Sequence, residues 1–240
     1  MRYIIIHKTN AHWESGGIPD AALIARVEAC IGELVNAGCF LAGEGLAPSS
    51  EGVRLRFVAG ERTILPGPFD RGEELPAAFT ILRLPSLDAA IEWATQQAGI
   101  SGETEIDIRP VHEPWDIGLG SPPEGDLSRR YMILSKATPA TESGASPSRE
   151  TRARLSRLIE DAGRRGVHLV TERMTPSRRG RRYLNANDGK TFYDGPFAES
   201  KELIGGYVII TADSLEAACR WVPSYMDAVG ANEVDVRELE

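Results

Sequence analysis

Two lysines and two glutamates lie where a charged group needs a partner. Lys8 and Lys136 each end an apolar segment, whereas Glu44 and Glu172 each lie within a predicted strand. A lysine at such a position either extends its ammonium to solvent or meets a buried carboxylate. The natural partner of Lys8 is Glu44. By the same spacing, the partner of Lys136 is Glu172. Such a pair either stabilises the fold or orients a small acidic or carbonyl substrate, with the glutamate as general base.

Two further side chains are candidates for catalysis. Asp194 opens a tight Asp-Gly-Pro turn, where hydrogen bonds to the turn backbone account for an aspartate and a role in a site is the alternative. His168 and Glu172 lie on one predicted strand, and strand alternation places them on the same face. A histidine that titrates near neutral pH forms an acid–base pair with such a carboxylate. The candidate catalytic residues are Glu44, Glu172, Asp194 and His168.

A few polar residues near the amino terminus of each half complete the candidate site. His7 and His12 lie close to Glu14, which is a weak pattern for a metal site. The chain contains no glycine-rich phosphate loop, nucleophile elbow or Cys/His metal array. We therefore expect no metal and no cofactor. The candidate binding residues are Lys8, Lys136, Glu14, Glu142 and His7.

The composition indicates an ordinary globular protein. Of the 240 residues, 42% are hydrophobic and 26% are charged. The early apolar run Tyr3–Ile6 is too short for a signal sequence or a membrane span. Three cysteines, Cys30, Cys39 and Cys219, show no metal-ligand spacing, and we interpret them as reduced core residues. We expect a cytoplasmic protein that does not bind membranes.

The net negative charge of the chain comes entirely from its first half. Residues 1–120 contain nine Lys/Arg and seventeen Asp/Glu, whereas residues 121–240 contain eighteen of each. This acidic balance disfavours nucleic-acid binding and leaves a small molecule as the expected ligand. The segment Arg149–Arg182 nevertheless holds eleven arginines and four acids. It is either a solvated helix face followed by a hairpin, or a surface for an anion or a partner.

An internal repeat organises the sequence. When the chain is shifted by 128 positions, residues 2–112 and 130–240 align without a gap and share 34 identities. Such a register over this length indicates duplication of one module. The matched positions include Tyr3 and Tyr131, Lys8 and Lys136, Glu44 and Glu172, Ser49 and Ser177, Phe69 and Phe197, and Arg109 and Arg237.

A Pro/Gly-rich segment separates the repeats and has the composition of a linker. Trp115, Ile117 and Leu119 are too apolar for a free tether, so we expect this segment to lie along the surface of one module. The predicted organisation is a first module at 1–112, a linker at 113–128 and a second module at 129–240.

Each repeat predicts the order βαββαβ with one extra strand or turn, which is typical of an α+β, ferredoxin-like module with both helices on one face of a sheet. Val27, Cys30, Ile31 and Leu34 recur at helical spacing, and Ser86 is a predicted N-cap. The predicted strands of the first repeat are Arg2–Lys8, Cys39–Leu46, Val53–Val58, Ala77–Leu84 and Glu105–Arg109.

The uncovered face of such a sheet must also be buried, because an exposed apolar sheet is an association site. Two tethered modules can pack their open faces together as an intramolecular dimeric α/β-barrel about a pseudo-twofold axis. We therefore expect a monomer with an internal pseudo-dimer, or a homodimer of such chains. A swapped arrangement between chains is the rival interpretation.

The motifs Gly43–Ser49 and Asp194–Phe197 resemble those of the YCII-related (DGPF-domain) family. The lysine that ends the first strand and the segment Glu202–Tyr207 add to the resemblance, which covers both repeats. It implies ferredoxin-like modules that pair into a barrel with a small pocket in each. Some relatives are considered small enzymes of the dehalogenase or lyase kind.

The chain departs from the family pattern in two places. Pro66 stands where the first copy of the motif would carry its acid. Some smaller relatives carry a His–Asp pair with the histidine on the first helix, but segments 21–37 and 149–165 contain no histidine. The His–Asp pair of those relatives therefore cannot be assigned to residues of this chain. Two hypotheses result: a cofactor-independent acid–base enzyme of lyase or isomerase type, or a non-catalytic binding or regulatory module.

The two repeats differ at their polar positions, which predicts one main small-molecule site per chain. The differing pairs are Asp194 and Pro66, His7 and Ser135, and His168 and Phe40.

Overall fold

The computed structural model describes residues 1–69, 75–125, 127–186, 189–197, 200 and 202–240. The strands are β1 (Arg2–Lys8), β2 (Phe40–Gly45), β3 (Val53–Val58), β4 (Glu61–Pro66), β5 (Pro76–Leu84), β6 (Glu105–Pro110), β7 (Arg129–Lys136), β8 (His168–Arg173), β9 (Arg181–Ala186), β10 (Gly189–Asp194), β11 (Ile204–Thr211) and β12 (Glu233–Glu238). The α-helices are α1 (Ala11–Glu14), α2 (Ala21–Asn36), α3 (Leu87–Ser101), α4 (Pro139–Ser143), α5 (Arg149–Arg164), α6 (Leu215–Cys219) and α7 (Val222–Val229).

The α+β class is confirmed, and the main helices begin and end where the sequence provides caps. Asp20 caps α2 and Ser148 caps α5 through hydrogen bonds to backbone amides in the first turn. Ser86 caps α3 as predicted, and Gly102 ends that helix in the left-handed conformation. The corresponding helix of the second repeat is divided into α6 and α7, with Pro223 in the first turn of α7.

The chain forms two compact units that do not coincide with the sequence repeats. Unit 1 comprises Met1–Leu46, Arg71–Leu75 and Met174–Glu240, and unit 2 comprises Ala47–Asp70 and Pro76–Arg173. The first strand–helix–strand segment of each repeat therefore belongs to the unit that contains the remaining strands of the other repeat. The boundaries 1–112 and 129–240 divide the sequence, whereas each sheet takes strands from both repeats.

Unit 1 is a six-stranded antiparallel sheet in the order β10-β9-β12-β1-β11-β2. Its core lies between the sheet and helices α2, α6 and α7. Tyr3 and Ile5 of β1 face these helices, where they pack with Leu34, Val222 and Met226.

Unit 2 repeats this arrangement in the order β4-β3-β6-β7-β5-β8. Helices α3 and α5 cover one face of the sheet. Ile133 of β7 and Leu82 of β5 pack there with Ile91, Ala94 and Ala162.

The linker explains why the second repeat begins beside the end of the first. It joins β6 to β7, which are antiparallel neighbours in one sheet. Residues 114–117 form a single 3₁₀ turn. The buried carboxylate of Glu113 accepts hydrogen bonds of 3.1 Å from both the backbone amide and Nε of Arg130. The linker is thus fixed to unit 2 by a buried ion pair and does not act as a free tether.

The sheet face away from the helices is also buried in each unit. Ile4 and Ile6 of β1 and Met132 and Leu134 of β7 point to this face and are almost completely inaccessible. This second face also carries charged residues among the apolar ones.

Candidate functional site

A row of side chains crosses the helix-free face of the unit 1 sheet. The strand register places Glu44 beside Tyr207, Tyr207 beside Ile6, and Ile6 beside Asp235. Asp235 in turn lies beside Arg182 of β9. Lys8 lies two residues beyond Ile6 on the same face.

Unit 2 carries the equivalent row. Glu172 lies beside Phe79, Phe79 beside Leu134, and Leu134 beside Asp107. Arg54 of β3 completes the row next to Asp107. Each sheet therefore presents a glutamate near one edge and an aspartate–arginine pair near the other.

In unit 2, Arg54 and Lys136 both donate hydrogen bonds to the carboxylate of Asp107 and form a cluster with it. Arg54 donates to both carboxylate oxygens, at 2.6 Å from Nε and 2.8 Å from the terminal nitrogen. Lys136 donates to the second oxygen at 2.5 Å. Burial alone would raise the pKa of Asp107, but the hydrogen bond from Arg54 and the charge of Lys136 outweigh it and hold the pKa at about 2.

The unit 1 cluster has the same members but a different geometry at the lysine. Arg182 binds both oxygens of Asp235, with a distance of 2.8 Å to the second oxygen. Nζ of Lys8 lies 3.4 Å from the same carboxylate. Burial acts to raise the pKa of Asp235, but the charge of Lys8 and the hydrogen bond from Arg182 hold it below the ordinary value.

A second arginine supports each cluster by binding the backbone. Arg109 donates to the carbonyl oxygen of Ala47 at 2.5 and 3.1 Å. The matched residue, Arg237, donates to the carbonyl oxygen of Thr175, with a distance of 3.0 Å from Nε. Both arginines are almost fully buried.

The Gly-Pro-Phe motif, residues 67–69 in the first repeat and 195–197 in the second, positions an aromatic ring against the cluster. In unit 2 the guanidinium of Arg54 lies 4.8 Å from the ring centre of Phe69, and in unit 1 that of Arg182 lies 4.5 Å from Phe197. A cation over an aromatic face is favourable, most of all where water is excluded. The phenylalanine of the motif thus stacks on the arginine that binds the aspartate.

The glycine of the motif is required by a close backbone approach. A Cβ atom on Gly67 would lie 1.8 Å from the carbonyl oxygen of Ser49, and one on Gly195 would lie 1.9 Å from that of Ser177. The Ser49 hydroxyl also accepts a hydrogen bond from the amide of Phe69 at 3.1 Å. The Pro-Ser and Gly-Pro-Phe motifs of the sequence are therefore in direct contact.

Each lysine forms an ion pair with an aspartate. The alternative in which Lys8 extends to solvent is wrong, because its side chain is only 1% exposed. Lys8 pairs with Asp235 and Lys136 with Asp107, two acids that no motif of the sequence indicates. The signal was present, since both aspartates and both partner arginines are identical between the repeats.

His7 lies on the opposite face of β1 from Lys8. Its Nδ1 is 2.8 Å from the hydroxyl of Tyr225 on α7. Burial and the charge of Lys8 lower the pKa of His7 to about 4, so the ring is neutral at pH 7. In unit 2 the matched positions, Ser135 and Gln97, form the equivalent hydrogen bond at 3.0 Å.

The expectation that His168 and Glu172 share a face is wrong. An irregularity in the pairing of β5 with β8 places His168 beside Leu82 and Glu172 beside Phe79, on opposite faces. Nε2 of His168 lies 2.9 Å from the hydroxyl of Thr171 on the helix side. Burial lowers the pKa of His168.

The remaining candidates lie in separate places. Asp194 ends β10, where its 63% exposed side chain pairs with Arg181 at 2.6 Å. Glu14 and Glu142 are half-buried residues of the short helices α1 and α4.

The arginines of the segment Arg149–Arg182 do not form one surface. Six lie exposed on α5 or at its end, whereas Arg182 is buried against Asp235. Arg179 and Arg181 form separate ion pairs with Glu238 and Asp194. Of the two interpretations of this segment, a solvated helix followed by a hairpin describes most of it.

In the part of the chain that the structure describes, no three or more histidine, cysteine, aspartate or glutamate side chains are grouped to hold a metal ion. Within the same residues, no helix combines the length and the apolar character needed to cross a membrane.

Comparison with known proteins gives one match. Residues 129–239 match the family model of the YCII-related domain. This part of the chain belongs to the YCII-related family. The matched region coincides with the second sequence repeat and contributes Lys136 to one cluster and Asp235 and Arg182 to the other. No curated protein and no solved structure matches the chain.

Proposed function

We propose that this YCII-related chain binds a small molecule at the buried lysine–aspartate–arginine clusters. The observation that supports the proposal is the burial of Lys8 beside Asp235 on a sheet face lined by isoleucines. Burying charges costs free energy that a structural role does not require, because apolar residues of similar size stabilise a core at least as well. Charged groups retained at matched positions of both units are therefore candidates for ligand contacts.

The chemistry available at the clusters is electrostatic. Asp107 and Asp235 have lowered pKa values and are ionised at neutral pH, which makes them poor proton acceptors. Their role in this proposal is to keep a lysine ammonium in place. The lysine then orients a carboxylate or carbonyl group of the ligand through hydrogen bonds.

A cofactor-independent enzyme of lyase or isomerase type requires a separate base. Glu44 and Glu172 lie on the same faces as the clusters, three strands away from the aspartate–arginine pairs. They are the carboxylates that this version of the proposal uses as general bases. His168 faces the helix side, and its position gives no support to a partnership with Glu172.

A non-catalytic binding or regulatory module is the second candidate function. It is favoured by the binding of both oxygens of Asp235 and of Asp107 by arginine, which stabilises the ionised carboxylates and makes these buried acids weak bases. Substrate turnover separates the two functions, since both predict binding.

The proposal includes the architecture implied by the family. The inner strands of unit 1 run in the order β12-β1-β11-β2, which is the order of a ferredoxin-like βαββαβ module. Burial of the helix-free sheet faces supports the expectation of two tandem modules packed as a barrel within one chain. Light scattering tests the oligomeric state. The mass of one chain would support a monomeric pseudo-dimer, and twice that mass would support a homodimer of chains.

A ligand screen tests the function. Wild-type protein is screened against a library of small metabolites by ligand-observed NMR, and each hit is assayed for turnover. The variants Glu44→Gln and Glu172→Gln should lose turnover but keep binding if the enzyme hypothesis holds. Unchanged turnover in both variants would remove the glutamates from the mechanism, and a library without any hit would contradict the binding proposal.

A further inference from the structure

The two lysines occupy matched positions but meet their aspartates differently. Lys136 donates a hydrogen bond of 2.5 Å to Asp107, and its side chain is 11% exposed. Lys8 lies 3.4 Å from Asp235, and its side chain is 1% exposed. No residue among those that the structure describes accepts a hydrogen bond from the Lys8 ammonium.

We infer that unit 1 holds the working site, and that Lys8 binds the carboxylate of a small, partly apolar ligand there. The inference rests on the proposed small-molecule function and adds the ligand class and the unit. In unit 2 the Lys136–Asp107 hydrogen bond occupies the equivalent lysine, so that cluster serves the fold.

The chemistry at Lys8 selects an anion. An ammonium group has three N–H donors, and leaving a buried donor without a partner is costly. Asp235 does not supply the missing acceptor from its present position, because Nζ of Lys8 lies 3.4 Å from its carboxylate and donates no hydrogen bond to it. A ligand that brings its own acceptor and its own negative charge meets both needs of a buried cation.

The surroundings of Lys8 select the rest of the ligand. Lys8 lies beside Ile204 in the register and follows Ile4 and Ile6 on the same face, and all three isoleucines are buried. A short hydrocarbon or aromatic group attached to the carboxylate would contact apolar side chains there. We therefore expect monocarboxylates with an apolar body to bind better than polar polyanions.

Methyl NMR of the intact wild-type chain tests this inference with matched probes. Benzoate and acetate are the carboxylate probes, and benzamide and acetamide are their neutral controls. The expected result is that the carboxylates shift the Ile4 and Ile6 methyl signals at one site per chain and leave Met132 and Leu134 unchanged. The amides should bind at least tenfold more weakly, because they lack the negative charge that strengthens a hydrogen bond from the ammonium.

The variants Lys8→Met and Lys190→Met supply the second arm. Lys8→Met should weaken carboxylate binding by roughly 10- to 100-fold, whereas Lys190→Met, at an exposed lysine of β10 outside the clusters, should leave it within a factor of about two. If Lys8→Met does not fold, the methyl shifts of the wild-type chain decide the question alone.

Three results would overturn the inference. Shifts at Met132 and Leu134, or two equal sites per chain, would refute the assignment to unit 1. Equal binding of amides and carboxylates would refute the anionic class while leaving the proposed small-molecule function in place. Absence of carboxylate binding at either cluster would also overturn it, and the broader library screen then decides whether the proposed function fails as well.

Discussion

Arg54 holds both carboxylate oxygens of Asp107, through hydrogen bonds of 2.6 and 2.8 Å on a sheet face that excludes water. This fork arrangement matches the planar guanidinium to the planar carboxylate, which is the strongest geometry available to an ion pair in a protein. It is repeated by Arg182 and Asp235 in unit 1. Its strength carries a cost, because loss of one partner leaves the other charge buried.

Replacement of this aspartate should therefore destabilise the protein strongly. Asp107→Asn removes the buried carboxylate that Arg54 and Lys136 share, and we expect a loss of about 3–5 kcal/mol in the free energy of unfolding. The exposed Glu61 on β4 is a suitable control, and Glu61→Gln should change stability by less than about 0.5 kcal/mol. Urea unfolding followed by circular dichroism measures both. Equal stabilities of the two variants would show that the cluster is not a buried ion pair.

The lowered pKa values of the two aspartates also predict how the stability of the protein depends on pH. Their folded pKa values are lowered, so their contribution is complete above the unfolded value near 4 and is lost as pH falls towards the folded values, about 2 for Asp107. Wild-type stability should fall steeply between pH 4 and 2, and less steeply in Asp107→Asn. Chemical denaturation at a series of pH values tests this. Parallel curves for the two proteins would contradict the assigned pKa direction.

His7 gives a second pH dependence in a different range. Its folded pKa of about 4 lies below the ordinary value of 6.5. Between these two pH values the unfolded chain therefore binds a proton at His7 and the folded chain does not. Stability should therefore fall as pH decreases from about 6.5 to about 4, by an amount on the order of 3 kcal/mol. His7→Ser copies the residue of the other repeat and should remove this dependence. Persistence of the slope in His7→Ser would assign it to other groups.

The glycine beside His7 should tolerate no side chain while the imidazole is present. A Cβ atom on Gly205 would lie 2.9 and 3.0 Å from two atoms of the His7 ring. In unit 2 the matched positions are Ala77 and the smaller Ser135, in place of the glycine and the histidine. Gly205→Ala should cost about 1–3 kcal/mol, and His7→Ser in the same chain should recover part of it. A double-mutant cycle on unfolding free energies measures the coupling, and additive effects would exclude the contact.

The exchange of strands between the repeats predicts that neither repeat folds alone as a monomer. Residues 129–240 contain β7 and β8 but lack β5 and β6, which are their sheet partners in unit 2. A polypeptide of residues 129–240 should be unfolded, or should dimerise so that each copy completes the sheets of the other. Light scattering and circular dichroism distinguish these outcomes from a folded monomer, which would contradict the strand pairing.

The local elements were largely predictable, because they depend on short-range signals. Helical spacing at Cys30 and Leu34, the Ser86 cap and the alternating strands all gave the right element at the right place. The pairing of β1 with β11 and β12 was not predictable. The two repeats present nearly the same hydrophobic pattern, so the pattern does not distinguish a partner strand of the same copy from one of the other copy.

The site was predicted only in part, for a related reason. Lys8 and Lys136 stood out because they interrupt apolar segments. Asp107 and Asp235 lie in strands where charged and apolar residues alternate, a pattern typical of a strand with one solvated face. That face is buried here, and only the packing of the folded chain reveals it. His168 was assigned to the wrong face because a single irregularity in register reverses every side chain beyond it.

A crystal structure of the intact chain with benzoate tests the central claim most directly. The account predicts one benzoate per chain, with its carboxylate within hydrogen-bond distance of the Lys8 ammonium and its ring against the isoleucines of β1. Asp235 should remain bound to Arg182, and the Lys136–Asp107 pair should be unchanged. An ammonium of Lys8 that is hydrogen-bonded only to protein and water, with benzoate elsewhere or absent at saturating concentration, would contradict it.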